Sequence, residues 1–153
     1  MKISIEEFLR SGKFGLVDLG ASKDQVLSLL GEPDSDNDLG DTGSILLYAW
    51  YEFFFNHEDR LHSIQNDNYD PSDRSSYEFK NDTFEIDPWF LNETRNQSIA
   101  GISKILDQKG LKYNVIDYYG RNAIKLESNV VVDFDEEENE SGVKALIGIR
   151  YWP

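Results

Sequence analysis

Near the start of the chain, apolar positions recur at helical spacing in two short bursts. In SIEEFLRSG, Ile5, Phe8 and Leu9 share one side of a helix. Ser4 with Glu7 three residues on marks its start as a capping box, and Gly12 marks its end. In GASKDQVLSLLGEP the device repeats: Ser22 and Gln25 open the helix, Val26, Leu27, Leu29 and Leu30 form its stripe, and Gly31 and Pro33 close it. Helices of about two turns do not hold together alone in water, so each must lie on another element.

The polar stretch DSDNDLGDTGS follows, and then the period changes to two. ILLYAWYEFFFNHEDRLHSIQ has β-branched and aromatic runs on either side of NHED and predicts a hairpin turning there. With LLYAWYEFFFN as one continuous strand, Leu47, Ala49, Tyr51, Phe53 and Phe55 face one way. Tyr48, Trp50, Glu52, Phe54 and Asn56 face the other. If one face meets the helices and the other is open, the second set is a binding surface; the competing reading is a central strand covered on both sides.

NDNYDPSDRSSYEFKNDTFEID reads as a loop and then a short edge strand, through Tyr77, Phe79, Phe84 and Ile86, able to pair with that hairpin. The helix–helix–strand order then recurs. Asp87 and Pro88 suit a helix start in DPWFLNE, and SIAGISKILDQKG places Ile99, Ile102, Ile105 and Leu106 on one face before Gly110. Strands are predicted at YNVIDYYG, NAIKLES, VVVDFD and VKALIGIRYW. In the last, Ala145, Ile147, Ile149 and Tyr151 alternate with Leu146, Gly148, Arg150 and Trp152. In NAIKLES, Ile124 and Leu126 face in, and Lys125 and Glu127 face out. Ser22 and Ser98 stand half a chain apart, as do the triplets Phe53 to Phe55 and Val130 to Val132. The expectation is an α+β fold of two similar helix–helix–antiparallel-sheet repeats in tandem, residues 1–75 and 76–153, packed as one unit with the helices on one face of the sheet.

Charge narrows the function. The formal net charge is -14, from 29 Asp and Glu against 15 Lys and Arg, with no basic run, which disfavours nucleic acid and favours a basic protein partner. With no cysteine there is no disulfide, thiolate or lipid-anchor chemistry. Glu6, Glu7 and Arg10 interrupt what a signal peptide would need as an apolar core, so the expected location is cytoplasmic, without membrane association. Asn-x-Ser/Thr triplets at Asn81, Asn92, Asn96 and Asn139 then have no secretory context.

LGASKDQVLSLLGEPD resembles the Gly-x-Ser-x-x-x-Val-x-x-x-Leu-Gly-x-Pro pattern of bacterial helix–helix–sheet modules, through Gly20, Ser22, Val26, Leu30, Gly31 and Pro33. These modules include the outer-membrane assembly lipoproteins of the small-protein-A type and the β-lactamase-inhibitor proteins. The resemblance implies, for the second of these, two modules in tandem whose sheets join into a concave surface that holds a partner protein. Similar domains occur among predicted immunity proteins that neutralise bacterial toxins. The disulfides, signal peptides and anchor cysteine of the secreted and lipidated members are missing, so β-lactamase as target does not carry over, and a cytosolic immunity-type role does.

Candidate chemistry changes this little. Asp34, Asp36 and Asp38 take the first, third and fifth places of a calcium loop, but Leu39 stands where Gly is needed and Ile45 where Glu is needed. In HEDRLH, His57 and His62 are spaced five apart across a turn, not four apart on a helix face. Asp133, Asp135 and Glu52 lie on predicted strands, where paired carboxylates could act as acid and base, but in so acidic a chain such pairs arise by chance. The expectation is a non-enzymatic binder, without metal or cofactor, that blocks a protein partner such as a basic toxin through Tyr48, Trp50, Glu52, Phe54, Asp67, Tyr69, Tyr119, Arg150 and Trp152. The alternative is a small-ligand receptor or an enzyme with a pocket between the two repeats.

Overall fold

The computed structural model describes residues 1–93 and 97–152; of the Asn-x-Ser/Thr triplets, Asn96 and the Thr94 that follows Asn92 fall outside them. The chain is α+β. β1 (Lys2–Ser4) leads into α1 (Ile5–Ser11) and α2 (Lys23–Leu30), followed by β2 (Ser35–Asp38), β3 (Ser44–Tyr48), β4 (Tyr51–Phe55) and β5 (Leu61–Asn66). β6 (Glu85–Asp87) precedes a 3-10 turn, α3 (Ile99–Gln108), and then β7 (Tyr113–Tyr118), β8 (Arg121–Leu126), β9 (Val130–Phe134) and β10 (Leu146–Tyr151). Eight strands form one antiparallel sheet in the order β2-β3-β4-β5-β10-β9-β8-β7, and β1 and β6 form a separate parallel pair. Two four-stranded meanders thus meet through their last strands. Among the described residues no helix is long and apolar enough to cross a membrane.

Local chemistry sets the helix ends. Ser4 accepts from the Glu7 amide and Gly12 closes α1 in the left-handed region. At α2 the capping box is complete: the Gln25 amide donates to Ser22 Oγ at 3.2 Å and the Ser22 amide to Gln25 Oε1 at 2.9 Å. Ser98 caps α3 through the Gly101 amide. Asp87 and Pro88 begin only the 3-10 turn Trp89–Asn92, because Glu93 is already extended.

The helices pack on one side of the sheet. Phe8, Leu9, Val26, Leu30, Ile102 and Leu106 join one core with Leu46, Phe53, Phe55, Ile124, Val132 and Phe134 from the strands. The Phe14 ring meets Phe53 edge-on at 5.1 Å, and Phe8 meets Tyr151 at 6.2 Å. Ser128 Oγ, in the turn between β8 and β9, donates to Leu9 O at 2.6 Å. The first helix therefore reaches the far half of the sheet.

Four strand expectations are corrected. The run ILLYAWYEFFFN is two strands, not one, because it turns at Ala49 and Trp50 with Ala49 at φ +51°. A two-residue turn sets Tyr48 opposite Tyr51 on one face, so Tyr48 joins Tyr51, Phe53 and Phe55 in the core. β6 pairs in parallel with β1, not with the hairpin. The polar stretch contains a strand, β2, at the sheet edge. A bulge between Leu146 and Gly148 shifts the parity of β10, which puts Leu146 in the core opposite Phe134.

The joint between the meanders comprises Ile149 opposite Asn66, Arg150 opposite Gln65 and Tyr151 opposite Ile64. Gly148 begins it, and a Cβ there would sit 2.5 Å from Asn66 O and 3.0 Å from Asp67 Cα, both backbone atoms that cannot swing aside. We expect Gly148→Ala to cost about 1–3 kcal/mol of stability, the usual range for overpacking. Chemical denaturation checks this, and an unchanged midpoint would show that β5 and β10 are less closely apposed.

Candidate functional site: the uncovered sheet face

Parity places a second set of side chains opposite the core. Glu52 faces Gln65 across β4 and β5, Gln65 faces Arg150 across the joint, and Arg150 faces Val131 on β9. Lys125 on β8 then faces Val131. Asp133, two residues beyond Val131, and Arg121, four before Lys125, share this face.

These residues form a chain of charged and polar contacts over five strands. Asp133, with no exposure, receives Arg121 Nε at 2.7 Å and Nη2 at 2.6 Å, a bidentate pair. Arg150 Nε donates to its second oxygen at 3.2 Å, and the Phe134 amide donates to the first at 3.0 Å. Arg150 Nη1 also donates to Gln65 Oε1 at 3.1 Å, and Gln65 Nε2 donates to Glu52 Oε1 at 3.3 Å. Asp67 lies 3.8 Å from Arg150 Nη1, and Glu136 lies 3.8 Å from Arg121 Nη1. A buried carboxylate with four donors is satisfied, and its removal strands two guanidiniums.

Burial, and next the nearby Asp67 carboxyl, push the Glu52 carboxyl up to about 7, against the opposing pull of Gln65 and Arg150. The Arg121 guanidinium is raised, chiefly by its hydrogen bond to Asp133. Burial raises the Tyr118 phenol.

Next to this chain the face dips into a shallow concavity of about 520 Å³, lined by Ile116, Tyr118, Tyr119, Arg121, Lys125, Asn129, Val131, Arg150 and Trp152. All of these belong to the second half of the chain. Trp152 is 49% exposed and Tyr119 83%. Phe54 lies 6.2 Å from the Trp152 ring and 6.1 Å from His62, extending the aromatic surface toward β5. Tyr119 and Gly120 form the β7–β8 turn with φ of +53° and +86°, the two left-handed residues of a type I′ hairpin.

Of the residues expected on the binding face, Glu52, Phe54, Arg150 and Trp152 stand on it, Tyr119 stands at its rim, and Asp67 lies at its end beside Arg150. Trp50 is 45% exposed in the β3–β4 turn. Two others are corrected. Tyr48 is fully buried, its hydroxyl donating to Gly31 O at 2.7 Å and its phenol raised to about 12 by burial. Tyr69 is buried against Tyr77 and donates to Leu91 O, although its neighbours in sequence are polar. Sequence reasoning missed Arg121 and Gln65 and weighed Asp133 only as one of several chance carboxylates, not as the partner of two arginines. The signal available was alternation, which sets Arg121 on the same side as Lys125 and leaves Asp133 as the one charge inside VVVDF.

The aspartates of the calcium-like loop are held by other partners. Asp34 Oδ2 accepts from the Ala49 amide, Asp36 from Lys23 Nζ and Asp38 from the Gly40 amide. Ser63 Oγ is 3.2 Å from His62 Nδ1, but Ser63 is fully buried. No cluster of three metal-ligating side chains occurs among the described residues. No protein-family model matches the chain, and neither the curated proteins nor the solved structures yield a match.

Two outcomes follow. Asp133→Ala should cost about 3 kcal/mol in equilibrium unfolding, because it leaves two partly buried guanidiniums with only the carboxylates of Glu136 and Asp67, each 3.8 Å away; a loss below about 1 kcal/mol would show that both guanidiniums relax freely into water. Glu52, with its carboxyl raised from 4.5 to about 7, holds a proton in the folded state that the unfolded chain releases, so its contribution to stability falls as pH rises through that window. Melting temperature measured from pH 5 to pH 8 should therefore decline less in Glu52→Gln than in the parent. Parallel profiles would contradict this.

Proposed function

We propose that the chain is a non-enzymatic protein-binding module of the inhibitor or immunity type, which blocks a partner protein with the uncovered face of its sheet. The observation that carries this reading is the aromatic and charged set on a broad, shallow face opposite the helices, with Tyr119, Lys125 and Trp152 exposed and Phe54 and Arg150 half-buried. Such side chains dominate interface energetics. A buried Ser63 beside His62 offers no accessible nucleophile, which favours binding over turnover.

Two further features support it. Each meander follows a short strand and a helical pair or its 3-10 equivalent, β1-α1-α2 in one half and β6, the Trp89–Asn92 turn and α3 in the other, as an internal duplication would give. The net charge of -14, with acids such as Asp67 and Glu136 beside the face, favours a partner that is basic around its contact patch, as toxins acting on nucleic acid are. A second reading, a receptor for a small acidic ligand, is favoured by one observation, the concavity beside Arg121.

Affinity capture from the native host tests the proposal. One protein recovered in stoichiometric amount, and lost with Phe54→Asp at an unchanged melting temperature, is the expected result. A co-purifying small molecule with no protein would replace it with the second reading.

A further inference from the structure

We infer that the concavity is a carboxylate cradle, in which an acidic side chain of the partner, flanked by an aromatic one, is gripped by Lys125, Arg150 and Arg121. The inference rests on the protein-binding reading and names the chemistry that the partner brings to its centre. The polar groups of the lining are three cations, an indole, two phenols and an amide, and no carboxylate is among them. Asp133 neutralises the guanidiniums from beneath with no exposure of its own, and Asp67 and Glu136 approach only their outer nitrogens, at 3.8 Å. Lys125 is exposed and has no ion pair among the described residues. In a chain with nearly twice as many acids as bases, a lining that gathers three cations and no carboxylate selects an anionic acceptor.

A second, independent feature is at the rim. Tyr119 occupies a left-handed position, φ +53°, where Asn is the favoured residue ahead of Gly in this turn type and a bulky side chain is strained. The turn holds an 83% exposed ring there, next to the Tyr118 ring at 4.7 Å, with the Arg121 guanidinium 5.6 Å from the Tyr118 centroid. Strain kept at an exposed aromatic beside a cation pair is what a clamp requires. A partner basic at its margin with an acid at its centre has the surface expected of an enzyme that acts on a polyanion through a carboxylate.

The test titrates the intact chain with the peptide Ac-Phe-Glu-Glu-Phe-NH2, following the Trp152 indole and the arginine Nε–H signals by NMR. The expected result is saturable shifts at Trp152, Arg121 and Arg150. Binding should be at least tenfold weaker for Ac-Phe-Gln-Gln-Phe-NH2, and tenfold weaker in Lys125→Gln but restored in Lys125→Arg. Tyr119→Asn should raise the melting temperature while weakening the peptide, a split that a purely structural tyrosine would not give. Equal binding of the Glu and Gln peptides, or inorganic phosphate binding as tightly as the Glu peptide, would overturn the inference. If the peptide fails while a captured host protein still depends on Phe54, the cradle falls and the binding face stands. If both fail, both fall.

Discussion

Asp133 is the point on which the sheet is organised. A carboxylate with no exposure to water is tolerable only when its oxygens are filled, and here they are filled from both sides: Arg121 on the neighbouring outer strand, Arg150 on the strand that makes the joint, and a backbone amide. Through Arg150 the same contact reaches Gln65, and through Gln65 it reaches Glu52 in the other half of the chain. The joint itself offers only three register pairs. Side-chain bonds on one face and the Phe8 and Tyr151 ring contact on the other therefore couple the halves where the backbone ladder is short.

That arrangement explains why the two faces differ. The helix side is apolar and closed, with aromatic rings meeting edge-on, and its few polar tips are spent on backbone carbonyls, as Tyr51 spends its hydroxyl on Tyr77 O. On the other side, short residues such as Ala123 and Ser63 are covered while Lys125, Trp152 and Tyr119 remain in contact with water. Long amphipathic side chains shield the sheet from solvent without a second layer of helices, and this leaves a surface that is ordered and still accessible.

Features stated by local chemistry were legible in the sequence. Ser22 with Gln25, Ser4 with Glu7 and Ser98 announce helix starts, and the strands of the second half follow from alternation between clear turn residues. The failures have equally local causes. Ala49 and Trp50 carry none of the residues that mark a turn, so one long strand was the natural reading, and a two-residue turn inside it reverses the parity of everything before it. The β1–β6 pair joins segments of three residues across more than half of the chain, too short for any periodicity to register. Tyr69 lies in a polar stretch whose composition gives no hint of burial. The candidate face depended on the joint, a contact between residues 66 and 149 that no local pattern encodes, and so Arg121 and Asp133 gained their meaning only when β9 and β8 were set beside β10.

The central claim is that the two meanders act as one sheet across β5 and β10, presenting a single face. Native-state hydrogen exchange of the backbone amides of Ile64 to Asn66 and Ile149 to Tyr151 tests it most directly. If the claim holds, these amides exchange as slowly as those of β4 and β9, with the rate of global unfolding. Exchange at the joint well ahead of both neighbours would show that the halves open separately, and would contradict it.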